Sequence, residues 1–111
     1  MSHHDDTVKL RHILDSAVKA TAFTKGKTRM DLDGDEQLAL ALVRLLEIVG
    51  EAAAQVSESF QAAHSDIPWL AMRGTRNRLI HGYFDVDYDI VWQIVTQDFP
   101  PLIKRLKKLL S

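Results

Sequence analysis

Apolar residues recur at three- and four-residue steps along almost the whole chain, and no run shows the two-residue alternation of a half-buried strand. Leu10, Ile13, Leu14, Ala17 and Thr21 set out a first helix over 6–22, which ends in the polar stretch Thr24-Lys25-Gly26-Lys27-Thr28. Asp33 or Asp35 can accept hydrogen bonds from the free N–H groups that open the next helix. That second helix is predicted over 36–59. Apolar residues cover most of its circumference, and Arg44, Glu47, Glu51, Gln55 and Glu58 form one polar stripe, so it is expected to bury two flanks, one of them against another subunit. A third helix starts near Pro68, tolerated in a first turn, and runs to His81, stopping at Gly82. Asp87 can cap a fourth, through Trp92 to Thr96, and Asp98 with Pro100 and Pro101 a fifth. Phe99, Leu102, Ile103, Leu106, Leu109 and Leu110 give the fifth one apolar face; the opposite face carries Lys104, Arg105, Lys107 and Lys108, as suits a helix C-terminus. The expected fold is all-α, an up-and-down bundle of four to five helices with Trp69 and Trp92 in its core.

Length and charge narrow this picture. A chain of 111 residues has room for one core, so residues 1–111 are expected to form a single domain with one site, or one site completed by a second copy. Fourteen basic residues against fifteen acidic ones leave no overall positive field, so any nucleic-acid contact must come from a local patch. There is no cysteine, which removes disulfides and thiolate metal sites. The N-terminal segment lacks the apolar centre of a signal peptide, and Arg44 and Glu47 interrupt the longest apolar stretch, so a cytoplasmic location without membrane attachment is expected.

The third helix holds the anomaly. On a wheel of about 100° per residue, Trp69, Met72, Leu79, Ile80 and Tyr83 surround Arg76 on the apolar face. A buried arginine costs several kcal/mol unless a counter-charge and hydrogen bonds replace its hydration, so roughly two outcomes are open. Arg76 bridges to Glu47 or Glu51, with His81 capping the helix end, or it lines a cleft. Asn77 and His81, four apart, stack on the adjoining flank.

The stretch Arg76-Asn77-Arg78-Leu79-Ile80-His81-Gly82-Tyr83 resembles the Arg-x4-His-x-Tyr signature of the HepT-like toxins, a branch of the HEPN (higher eukaryotes and prokaryotes nucleotide-binding) superfamily. Leu46-Glu47-Ile48-Val49-Gly50-Glu51-Ala52 is similar to the family's second-helix signature, and Ile67-Pro68-Trp69 to its entry into the motif helix. Tyr83-Phe84-Asp85-Val86-Asp87, Val91-Trp92 and Asp98-Phe99-Pro100-Pro101-Leu102 continue the pattern in order, so the resemblance covers nearly everything from Leu10 onward. One departure is Arg73-Gly74-Thr75, where many relatives have a more apolar approach; Gly74 weakens a helix by about 1 kcal/mol relative to Ala.

The resemblance implies a homodimeric helical bundle whose paired motif helices form a cleft with two Arg-His pairs. It implies a metal-independent endoribonuclease without cofactors, the toxin of a type VII toxin–antitoxin system. Its partner would be a minimal nucleotidyltransferase antitoxin that transfers AMP to the motif tyrosine, here Tyr83. The residues can support that chemistry. RNA supplies its own nucleophile, the 2′-hydroxyl, so cleavage needs a base, an acid and a cation for the developing phosphorane charge. His81 suits proton transfer near neutral pH, and Arg76 a bidentate clamp on phosphate oxygens. Asn77 serves as a polar orienter, Arg78 as a possible phosphate contact, and Glu51, part of the family signature, as an orienter of Arg76. The products would be a 2′,3′-cyclic phosphate and a 5′-hydroxyl. If the helix persists to Tyr83, an attached nucleotide would set its phosphate against Arg76 and block the cleft. His12 and His64 are read as surface residues. Two alternatives use the same residues: a non-catalytic nucleotide-binding or substrate-presenting subunit of a nucleotidyltransferase, and a structural dimer in which Arg76 is a buried ion pair.

Overall fold

Helix α1 spans His3–Thr24 and so extends past the predicted segment at both ends. The computed structural model describes residues 3–82 and 85–111. Near the start of α1, Asp6 is only 3% exposed; its carboxylate accepts from the Ser57 backbone N–H at 2.9 Å and from Ser57 Oγ at 2.7 Å. Burying a carboxylate is tolerable here because both oxygens are hydrogen-bonded. A short helix, α2 (Asp31–Gly34), buries Leu32. Asp35 then caps α3 (Glu36–Gln55) by accepting from Leu38 N–H at 3.0 Å, one of the two caps expected there.

The predicted second helix is divided. Val56 leaves the helical region (φ −69°, ψ 139°), and Ser57 caps a separate α4 (Glu58–Ala63). Gln61 reaches back to donate to the carbonyls of Val56 at 2.9 Å and Ala53 at 3.3 Å, satisfying acceptors that the break leaves open. Periodicity could not foresee this break, because its fixed point is Asp6, fifty-one residues earlier in the chain.

The predicted third helix is also corrected. Gly74 interrupts it, giving α5 (Trp69–Arg73) and α6 (Thr75–Leu79), and α6 ends before His81. Ile80 is extended (φ −109°, ψ 120°). Strand β1 (Ile80–His81) pairs antiparallel with β2 (Asp85–Val86), Ile80 opposite Val86 and His81 opposite Asp85. Gly82 has φ +82°, a left-handed conformation that glycine adopts without a Cβ penalty, and Asp87 N–H donates to Leu79 C=O at 2.7 Å. Two residues per strand are too few for an alternation pattern to show in the sequence.

Asp87 caps α7 (Tyr88–Gln93) as expected, accepting from the N–H groups of Asp89 at 3.0 Å and Ile90 at 3.2 Å. Asp98 is no cap: its backbone is helical (φ −84°, ψ −38°) and its side chain bonds no helix N–H. The chain instead runs through a wide π-helical turn, Ile94–Asp98, into α8 (Phe99–Leu110). Pro100 and Pro101 explain the widening, since neither has an N–H to offer the carbonyl four residues back.

Helix α1 lies against α3 and α8, while α3 carries α5 and α6 on another side. Leu10, Ile13 and Ala17 meet Leu42, Leu46 and Val49, with Met72, Leu79, Val91, Val95, Phe99, Leu102 and Leu106 in the same cluster. Trp69 is buried, its indole donating to His64 C=O at 2.9 Å, whereas Trp92 is half-buried. The all-α bundle is as predicted, with the two-residue hairpin as its single extended element among the described residues.

Candidate active site

The floor of the site is a close helix crossing. A Cβ added at Gly50 would lie 3.0 Å from Met72 C=O and 3.6 Å from Thr75 Cβ, so α3 and the motif segment approach nearly backbone to backbone. Thr75 takes the inward position, 4% exposed, with its hydroxyl donating to the carbonyls of Met72 at 2.7 Å and Ala71 at 3.3 Å. Neither Gly50 nor Thr75 was singled out by chemistry-bearing patterns; a glycine in the middle of an otherwise good helix was the available signal.

Arg76 consequently points outward. It is exposed in the single chain, which corrects the wheel's placement on the apolar face, and it forms no ion pair there with Glu47 or Glu51. The break at Gly74 and the end of α6 at Leu79 deprive the wheel of its assumption of one continuous helix. Arg76 lines an open groove of about 290 Å³ with Asn77, Arg73, Glu47, Glu51, Gly50 and Ala54. Among the described residues it has no ion-pair partner, and none of its neighbours in the groove does either. Arg105 is the contrasting case: its Nε lies 2.5 Å from Asp66 Oδ2, which raises the guanidinium pKa and holds the Asp66 carboxyl below its ordinary range through that hydrogen bond.

The other predicted residues separate. Asn77 and Glu51 share the groove of Arg76. Arg78 is half-buried and lines a different cavity of about 500 Å³, whose walls include Val49, Met72, Gln97 and Phe99. His81 is outside the lining of the Arg76 groove; its side chain is 61% exposed, with Nε2 3.7 Å from Asp87 Oδ2. Tyr83 lies outside the described residues. Asp87 is the residue that sequence reasoning missed as a site neighbour, since a helix cap accounted for it. His12 is exposed as expected, but His64 is half-buried, its ring 4.3 Å from that of Phe60 and its Nδ1 3.5 Å from Arg105 Nη2. Among the described residues no group of three or more His, Cys, Asp or Glu is placed to hold a metal ion, and no helix is long and apolar enough to cross a membrane.

The model of a family described as ribonuclease HepT-like matches residues 13–109, a span that includes Glu51 and the whole Arg76–Tyr83 segment. The chain belongs to the HepT-like ribonuclease family. Among curated relatives, a protein of Caldanaerobacter subterraneus subsp. tengcongensis, named as a candidate RNase, is 39% identical over 92% of this chain and 91% of its own length. A similarly named protein of Methanocaldococcus jannaschii is 36% identical over 96% of this chain and 98% of its own length. A third, named "Probable ribonuclease HepT", from Thermococcus cleftensis, is 35% identical over 97% of this chain and 96% of its own length. No solved structure matches the chain significantly. Among the described residues of the motif, Arg76, Asn77, His81 and Gly82 are exposed to solvent, while Leu79 between them belongs to the core.

Proposed function

We propose that this HepT-like protein is a metal-independent endoribonuclease, the toxin of a type VII toxin–antitoxin system, working as one 1–111 domain in a cytoplasmic homodimer. The observation that carries this reading is that the motif's cation and imidazole are both solvent-facing and uncommitted to the core: Arg76 has no ion pair among the described residues and His81 is 61% exposed. A structural arginine would be consumed, as Arg105 is by Asp66.

In this reading Arg76 clamps the scissile phosphate, offering two N–H donors to its oxygens, and Asn77 orients the same phosphate from the adjacent position on α6. His81 takes the proton from the RNA 2′-hydroxyl; the 2′-oxygen attacks phosphorus, and the 5′-oxygen leaves with a proton from a second imidazole. In the proposed homodimer the second copy supplies that second imidazole, bringing two Arg76–His81 pairs to one cleft. Glu51, which lines the same groove without pairing with Arg76 in the free chain, orients the guanidinium once phosphate is bound, and Arg78, in its separate cavity, contacts RNA away from the cut. AMP carried by Tyr83, transferred by a minimal nucleotidyltransferase antitoxin, adds negative charge and bulk that compete with RNA for the arginines.

The test is cleavage of RNA by the purified protein in excess EDTA, with the ends identified by mass spectrometry. Fragments with 2′,3′-cyclic phosphate and 5′-hydroxyl ends are expected. Loss of cleavage in EDTA that added metal restores, or 5′-phosphate ends, would overturn the mechanism. Coexpression with the cognate transferase should add one or more AMP masses to the Tyr83 peptide and silence cleavage; an inhibited but unmodified protein would refute the proposed control.

A further inference from the structure

We propose that Asp87 is the positioning residue for His81, fixing which ring nitrogen carries the proton; the inference deepens, and rests on, the role of His81 in RNA cleavage. Three observations converge on it. The two carboxylate oxygens of Asp87 have separate tasks: Oδ1 accepts from Asp89 N–H at 3.0 Å and Ile90 N–H at 3.2 Å at the start of α7, leaving Oδ2 directed at His81 Nε2, 3.7 Å away. The backbone holds the two residues in register, since Asp87 N–H donates to Leu79 C=O at 2.7 Å and the hairpin pairs His81 with Asp85. The carboxylate is also the more sheltered partner, its side chain 31% exposed against 61% for the imidazole.

At 3.7 Å the pair is in ion-contact range but longer than a hydrogen bond, and rotation of the imidazole closes that gap, as catalytic contacts commonly tighten when substrate binds. An ionised Asp87 can only accept. It therefore holds the proton of neutral His81 on Nε2 and leaves the Nδ1 lone pair facing outward. The 2′-hydroxyl proton passes to Nδ1, Nε2 keeps its own, and Asp87 stays ionised beside the imidazolium that results. Asp85 is the other nearby carboxylate, paired with His81 in the hairpin register, but it is exposed and caps no helix, so it lacks the anchor that aims Asp87.

The substitution Asp87→Asn separates the two tasks. Asparagine caps helices about as well as aspartate, so the fold persists. Its single oxygen is then required by Asp89 and Ile90, which turns the NH2 toward His81 Nε2 and favours the proton on Nδ1, the wrong nitrogen. Long-range 1H–15N NMR of the full-length protein reads this directly. The expected result is mainly the Nε2–H tautomer in the wild type and in Asp85→Asn, a shift toward Nδ1–H in Asp87→Asn, and a kcat lowered by about 100-fold or more with KM little changed. An unshifted tautomer balance in Asp87→Asn, or a shifted one with wild-type kcat, would overturn the proposal. Wild-type cleavage by His81→Ala would instead remove the role of His81, a separate failure that the tautomer measurement distinguishes.

Discussion

Thr75 and Arg76 are neighbours in the chain and opposites in the structure. Thr75 faces the Gly50 crossing, buried, with its hydroxyl bonded to Met72 and Ala71 carbonyls. Arg76 faces an open groove with two glutamates and a second arginine, and pairs with none of them. The inward face of this short helix is closed by packing and can tolerate little change in volume. The outward face holds charge at the surface, where hydration maintains it cheaply and a phosphate can reach it. This division explains how a five-residue helix can present an unpaired charge to solvent without weakening the bundle.

Substitutions can break each side of that division separately, beginning with the largest effect. Arg76→Ala or His81→Ala should reduce RNA cleavage by about 100-fold or more, the scale of losing one proton-transfer or charge-stabilising group. Neither should move the thermal midpoint, because both side chains are exposed; unchanged cleavage in both variants would remove these two residues from the mechanism. Gly50→Val should act in the opposite sense, destabilising the fold by about 3 kcal/mol, the upper part of the overpacking range. Its new side chain would press on the Met72 carbonyl, which belongs to backbone and has little room to move. Urea denaturation checks this, and wild-type stability would show that the crossing is not tight.

Asp6→Ala should cost about 2 kcal/mol by leaving the Ser57 N–H and hydroxyl without their acceptor at the start of α4. Thr75→Val keeps the shape and removes the hydroxyl, so a loss of about 1 kcal/mol is expected in the same assay. The smallest effect belongs to Arg105 and Asp66. The Asp66 carboxyl is held below its ordinary value by Arg105, so its contribution is present above the unfolded-state pKa, about 4, and fades as pH falls through the lower folded-state value. Arg105→Gln should therefore lower the thermal midpoint slightly at pH 7 and leave no difference from wild type well below pH 4. A difference that persisted in strong acid would assign the effect to lost packing of Arg105 instead of charge.

The positions of the major helices were legible in the sequence because three- and four-residue periodicity records which side of a helix is apolar, whatever that side meets. The cap at Asp87 was legible for a similar local reason, as were the choice of Asp33 or Asp35 before α3 and the weakness at Gly74. The family motif likewise marked Arg76, Asn77 and His81 without any structure. What periodicity could not supply was where a helix stops when its end is decided by a distant partner. The α3–α4 break depends on Asp6 and the end of α6 on the hairpin formed with Asp85 and Val86; the join of α7 to α8 is local instead, a π turn before two prolines that apolar periodicity does not register.

These boundaries change the reading of the site. A wheel extended through His81 sets Arg76 among apolar residues and aligns it with Tyr83; the structure ends the helix at Leu79, turns Arg76 outward and sets His81 on a strand beside Asp87. The residue types, their order and their helical periodicity were thus determined by the sequence itself, because hydrophobic patterning and capping act over a few residues. Which faces those side chains occupy, and which carboxylate His81 meets, only the tertiary structure decided, because both depend on hydrogen bonds and close packing between segments that the chain's local pattern does not connect.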